Sequence, residues 1–161
     1  MPEGAAARRR LREAALQGFV ALPGGTGTPA AGDPEPVQTP EGTLSYFLVP
    51  DRREGMVVAV ARVFPDGRVA GVLRPTVPAP DCAAVVTGVA AGPLRALADE
   101  IARREGATVV GEPRLVHDGP VGREAWLLTL ALPGGSQRWV FATAGGSYAR
   151  RPGEPPRGGI V

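Results

Sequence analysis

PLRALADEIARREG at 93–106, ATVVGEPRLV at 107–116, REAWLLTLAL at 123–132, PGGS at 133–136 and QRWVFATA at 137–144 together decide the fold class. In the first run, Leu94, Leu97, Ala98 and Ile101 recur at i, i+3, i+4 and i+7, the apolar stripe of an amphipathic helix. Gly92-Pro93 supplies a start with proline at the first turn, and Gly106 supplies the stop. Asp99–Arg103 and Glu100–Arg104 are acid-first pairs four residues apart, which support a helix. Ala107 to Val116 then reads as a strand that Gly111 and Pro113 weaken, hence an edge or a bulged strand. Trp126, Leu128, Leu130 and Leu132 alternate along one face of the next strand. Pro133 to Ser136 turns the chain, and Trp139 and Phe141 share a face of the returning strand.

Upstream, Leu44, Tyr46 and Leu48 alternate with Ser45, Phe47 and Val49, and Pro50 is expected to end that strand. Met56 to Phe64 is a nearly continuous apolar and β-branched run, as a strand covered on both faces requires. Pro65-Asp66-Gly67 turns it into Arg68 to Leu73. Cys82 to Val89 fits a strand or a short buried helix, and periodicity does not decide between them. Ala5 to Val20 reads as a helix with Leu11, Ala15, Phe19 and Leu16 on one side.

The expected architecture is α+β: a mainly antiparallel sheet of about six strands with a helix packed on it, plus an N-terminal helix. The domain reading follows: 1–22 a basic N-terminal helix or opening segment, 23–42 a linker, 43–151 a single α/β domain, 152–161 a flexible tail. Pro23 to Gly42 holds five Pro and five Gly in twenty residues, too little apolar surface to offset ordering entropy. No internal repeat is evident.

Composition mainly excludes. All 18 basic residues are Arg, with no Lys and no Asn, the bias a GC-rich bacterial genome produces. Without Lys there is no P-loop lysine, Schiff base or Ser-Lys dyad. Without Asn there is no N-glycosylation acceptor. The one cysteine, Cys82, cannot form an internal disulfide, and one histidine, His117, cannot build a multi-histidine zinc site. Neither a metal nor a cofactor is expected. Leu11 to Leu22 is broken by Arg12, Glu13 and Gln17, so it is no signal-peptide core, and Cys82 to Leu94 is too short to span a bilayer. The expected location is the cytoplasm. Charge is uneven: residues 1–12 carry four Arg against Glu3, net +3; residues 147–161 carry Arg150, Arg151 and Arg157 against Glu154, net +2; the body between them is −3.

The order helix, Gly, strand, Gly-rich loop, GREAW strand, hairpin and RWVFAT strand resembles the C-terminal half of the PsbP/DcrB/LpqN-like α/β proteins, the group of the Mog-type Ran-binding proteins. Leu94 to Gly106, Gly122 to Leu132 and Arg138 to Gly146 carry the likeness, and Phe19-Val20-Ala21-Leu22-Pro23 resembles the first strand of that family. The tryptophan that often follows that strand is absent, as is a lipoprotein cysteine. The resemblance implies a binding, assembly or chaperone-like module without shared catalytic residues.

Candidate sites are few. Cys82, His117 and Asp118 have the residue types of a nucleophile, base and orienter, but adjacent His and Asp side chains orient each other poorly. An exposed loop histidine and an inert core thiol are the plainer reading. Gly24-Gly25-Thr26-Gly27-Thr28 has the look of a phosphate nest but leads into more Pro and Gly instead of a helix. Ser136 and Ser147 follow Gly-Gly and read as turn residues. No catalytic residue is assigned. Trp126, Trp139 and Phe141 are the candidate ligand- or partner-binding residues. Arg8, Arg9, Arg10, Arg12, Arg150 and Arg151 are candidate polyanion contacts. The expected function is a non-enzymatic adaptor that docks a protein segment or a small apolar ligand on its sheet face or edge. The alternative is nucleic-acid association through the arginine-rich ends, and a Cys/His enzyme comes last. A protein partner is expected, and a homodimer is left open.

Overall fold

The computed structural model describes residues 4–25 and 27–156. These form α1 (Gly4–Ala21), β1 (Glu35–Gln38), β2 (Leu44–Arg53), β3 (Met56–Val63), β4 (Val69–Leu73), α2 (Cys82–Thr87), α3 (Leu94–Glu105), β5 (Thr108–His117), β6 (Glu124–Ala131), β7 (Gln137–Thr143) and β8 (Gly146–Arg150). The class is α+β with an N-terminal helix, as the patterning implies. The strands number eight among the described residues, not about six, and the sheet is mixed, because β1 meets β5 in parallel at Gln38↔Val116. Both additional strands, β1 and β8, have five residues or fewer, too short for alternation to register.

Two compact units divide the chain: residues up to Val37 with Leu44–Val85, and Gln38–Thr43 with the chain from Val86 onward. In the first, strands run in the order β4-β3-β2-β1. Helix α1 lays Leu11, Ala15 and Phe19, spaced by one helical turn each, on Phe47, Val49, Ala59, Ala61 and Val63. Each such large side chain, fully buried, contributes about 1.5–3 kcal/mol. Phe19 and Val20 are therefore helical, and the likeness of Phe19 to Pro23 to a first strand does not hold: the stripe Leu11, Ala15, Phe19 closes only with helical spacing.

Pro50 does not end β2. A residue's N–H and C=O point to the same side of a strand. The Pro50 carbonyl accepts from Gly32 N at 2.8 Å, so the missing N–H faces Gly32 and not β3. The β2–β3 ladder therefore runs through Pro50↔Val60 to a two-residue turn at Glu54 and Gly55, both at positive φ. The stretch read as a linker is tied down. Asp51 Oδ1 accepts from Ala30 N at 3.0 Å, Arg12 reaches Asp33 at 2.9 Å, and β1 buries Val37 completely.

In the second unit the order is β5-β6-β7-β8, antiparallel throughout. Helix α3 packs Leu94, Ala98, Ile101 and Ala102 on Leu128, Leu130, Val140 and Ala142, which form one face of the sheet. It ends as expected: Gly106 at φ 63 places its own N–H on Arg103 O and that of Ala107 on Ala102 O. Asp99 pairs with Arg95 at 3.7 Å instead of Arg103, a change of little consequence between exposed side chains. β5 carries the bulge that Gly111 and Pro113 foreshadow, its register shifting between Val110 and Arg114. Arg114 holds the Gln38–Thr43 segment by donating to Gln38 Oε1 and Pro40 O, each at 2.7 Å. Cys82 to Thr87 is the helical alternative, started by Asp81 Oδ1 accepting from Ala84 N at 2.8 Å. Among the described residues no helix is long and apolar enough to cross a membrane.

Candidate functional site

The second unit contains a buried polar network of Asp118, Tyr148 and Arg150. Asp118, fully buried at the end of β5, binds Arg150 Nη2 at 2.8 Å through Oδ1 and accepts from the Tyr148 hydroxyl through Oδ2. The guanidinium lies 5.1 Å above Trp139 and 5.0 Å above Phe141, and Tyr148 stacks on Phe141 at 5.0 Å. Arg150 Nη1 also donates to Glu154 O. Burial and then the bond to Asp118 push the Tyr148 phenol up, so it remains a proton donor. Trp139 and Phe141 are thus brought together beneath Arg150. Trp126 lies on the opposite face, its indole N–H donating to Val89 O at 2.8 Å.

His117 is the last residue of β5 and is buried; the loop position expected for it belongs to Gly119-Pro120. Its Nδ1 lies 2.9 Å from the Gly119 carbonyl, which makes that nitrogen the donor. Asp118 is held by Arg150 and Tyr148. Cys82 belongs to the first unit, where its thiol donates to Glu35. Burial, then the Glu35 charge, raise the Cys82 pKa, so the thiolate a nucleophile needs is strongly disfavoured.

Glu35 itself sits above its ordinary value of 4.5, through burial first and Asp81 second. The folded state therefore holds this proton more tightly than the unfolded chain. The cost of ionising Glu35 is absent below about pH 4 and grows as pH rises through the folded-state value. Glu35→Gln should raise the thermal midpoint at pH 7, with the gain vanishing by pH 4. An equal shift at both pH values would remove the burial argument.

The described residues of the Gly24–Thr28 loop lie beside two arginines. Thr26 lies outside the described residues, but Pro23 presents its carbonyl to Arg74 Nη1 at 2.8 Å. A side chain at Gly25 or Gly27 would come within 2.7 Å of Arg74 or Arg53, respectively.

Arg8, Arg9 and Arg10 are exposed on α1, which has no acidic residue among those of its first turn, while Arg12 is engaged with Asp33. Arg150 is buried and Arg151 exposed, so the two ends of the chain do not present equivalent arginines. Arg157 lies outside the described residues. Of the segment read as a tail, Pro152 to Pro156 is described and turns back, with Glu154 N donating to Arg151 O at 3.1 Å. Ser136 is a turn residue; Ser147 is in β8, two residues beyond the Ala144-Gly145 turn.

β8 is at the end of its sheet, with β7 on one side only. A two-residue turn closes the pair Thr143↔Gly146, which exchanges hydrogen bonds, so by alternation Phe141↔Tyr148 and Trp139↔Arg150 do too. Ser147 and Ala149 therefore direct their N–H and C=O groups outward. Arg151 follows the same parity, and its N–H is taken by Glu154 Oε2 at 3.0 Å. Beside this edge lies a cleft of about 540 Å³ lined by Arg138, Ala149, Arg150, Arg151 and Glu154. The exposed first half of β5 is different: the bulge at Gly111 to Pro113 disrupts it, a common way to blunt an edge. Nothing in the sequence flags β8, since GSYAR is brief and begins on the second residue of Gly145-Gly146.

Neither a family model nor any curated protein or solved structure matches this chain.

Proposed function

We propose that this protein is a non-enzymatic binding module that receives an extended protein segment by strand addition along β8. The observation that carries the reading is the outward pair of backbone groups at Ser147 and Ala149 beside an open cleft. Strand addition draws its affinity from such main-chain bonds and its selectivity from the pockets that alternate side chains reach. The alternative sites favour catalysis less: the thiol is protonated and buried, and Asp118 is neutralised by Arg150. The adaptor character also agrees with the resemblance of Leu94 to Gly106, Gly122 to Leu132 and Arg138 to Gly146 to PsbP/DcrB/LpqN-like modules.

Amide exchange tests the edge directly. In the free protein Ser147 and Ala149 should exchange fast, while Tyr148 and Arg150 are protected by β7. Ala149→Pro removes an outward donor and spares the ladder, by the same logic that lets Pro50 sit inside β2. It should leave the thermal midpoint within a few degrees and abolish protection of the edge by an added β-strand peptide. Slow exchange at Ser147 and Ala149 in the free monomer would rule the reading out.

A further inference from the structure

We infer that the segment received at β8 is acidic, with a carboxylate side chain seated in the cleft between Arg138 and Arg151; this deepens, and rests on, the strand-addition reading. Parity defines the geometry. Ala149 packs with Val140 and Ala142 on the α3 side of the sheet, and Tyr148 with Phe141 on the other. Arg138 and Arg151 share the parity of Val140 and Ala149 respectively, so the cleft opens on the α3 side. In a strand laid along β8, every second side chain points to that side and enters the cleft.

The charges there favour an acid. Arg138 and Arg151 line the cleft on that side with one carboxylate, Glu154, while the Arg150 guanidinium lies on the other face over Trp139 and Phe141. Arg150 is already ion-paired with Asp118, which leaves Arg138 and Arg151 to act. Arg138 leans on Glu105 of α3 at 2.5 Å, and Arg151 is 4.0 Å from Glu154 with its side chain 85 % exposed. Such exposed pairs are weak, so both arginines keep donors for an incoming carboxylate. Glu154 caps the Arg151 N–H, which ends the available edge and sets the register of the guest strand. A basic guest would meet Arg138 and Arg151 head-on, and a one-residue slip would turn an alternating acidic guest away from the cleft.

The test uses the full chain and three heptapeptides in which threonine alternates with glutamate, with glutamine or with lysine. Binding is followed through the amide signals of Ser147 and Ala149. The glutamate peptide should bind about tenfold more tightly than the glutamine peptide, and the lysine peptide more weakly still. The preference should shrink with salt and drop about threefold in Arg151→Gln, which alters no buried contact. Equal affinity for all three, with both amides protected, would overturn the acidic guest and leave strand addition standing. Acid-selective binding that leaves those amides unprotected and is indifferent to Ala149→Pro would overturn both. Failure of every peptide to bind at millimolar concentration also counts against the inference.

Discussion

Asp118→Ala is expected to cost about 3–5 kcal/mol, because it leaves the Arg150 guanidinium buried without its counter-charge. The two side chains are 1 % and 2 % exposed, so water cannot replace the lost carboxylate. The Tyr148 hydroxyl loses its acceptor at the same time. The pair itself need not be worth that much. Removing both ions, as in Asp118→Leu with Arg150→Met, should recover most of the loss, since the rings of Trp139 and Phe141 accept an apolar neighbour. Trp126 and Trp139 both lie in the second unit, so tryptophan fluorescence during urea unfolding reports on it directly. A single variant within 1 kcal/mol of the parent, or a double variant as unstable as the single, would show that Arg150 finds solvent or another partner.

Phe19→Ala is the counterpart in the first unit, with an expected loss of about 3–5 kcal/mol. Phe19 is the last of the three residues that fasten α1 to β2 and β3, in one cluster with Phe47, Val49, Ala59, Ala61 and Val63. Removing it leaves a cavity that a helix held by only Leu11 and Ala15 can close just in part. Val20→Ala, one residue on but 73 % exposed, should stay within about 0.5 kcal/mol. Amide exchange in β3 separates the outcomes: Val57 to Val63 should lose protection in the first variant and keep it in the second. Equal, small effects would mean that α1 rests on the sheet without being part of its core.

How much was legible in the sequence follows from what each signal needs. The stripes Leu94–Leu97–Ala98–Ile101 and Leu11–Ala15–Phe19 each hold their period over about two helical turns, and both helices lie where that period places them. Pro65-Asp66-Gly67 and Pro133 to Ser136 carry their turn chemistry locally, and both turns form, with Gly67 N donating to Phe64 O and Leu132 N to Ser136 O. The bulge at Gly111 and Pro113 was legible for the same reason: backbone restrictions travel with the residue. The class of fold, the α3 hairpin block and the exclusion of lysine chemistry all rest on the chain alone.

Only the tertiary structure decided the rest, because those features depend on which backbone or charge stands opposite. Pro50 continues a strand since its missing donor faces Gly32; the same proline turned toward β3 would have ended it. β1 and β8 are too short to announce themselves and exist through their neighbours. Asp118 is 30 residues from Tyr148 and 32 from Arg150, separations that no spacing rule links, yet burial makes the three one unit. The outward groups of Ser147 and Ala149 are the clearest case. Local chemistry reads Ser147 as a turn residue, and only the place of this strand at the end of a sheet leaves those hydrogen bonds to be made.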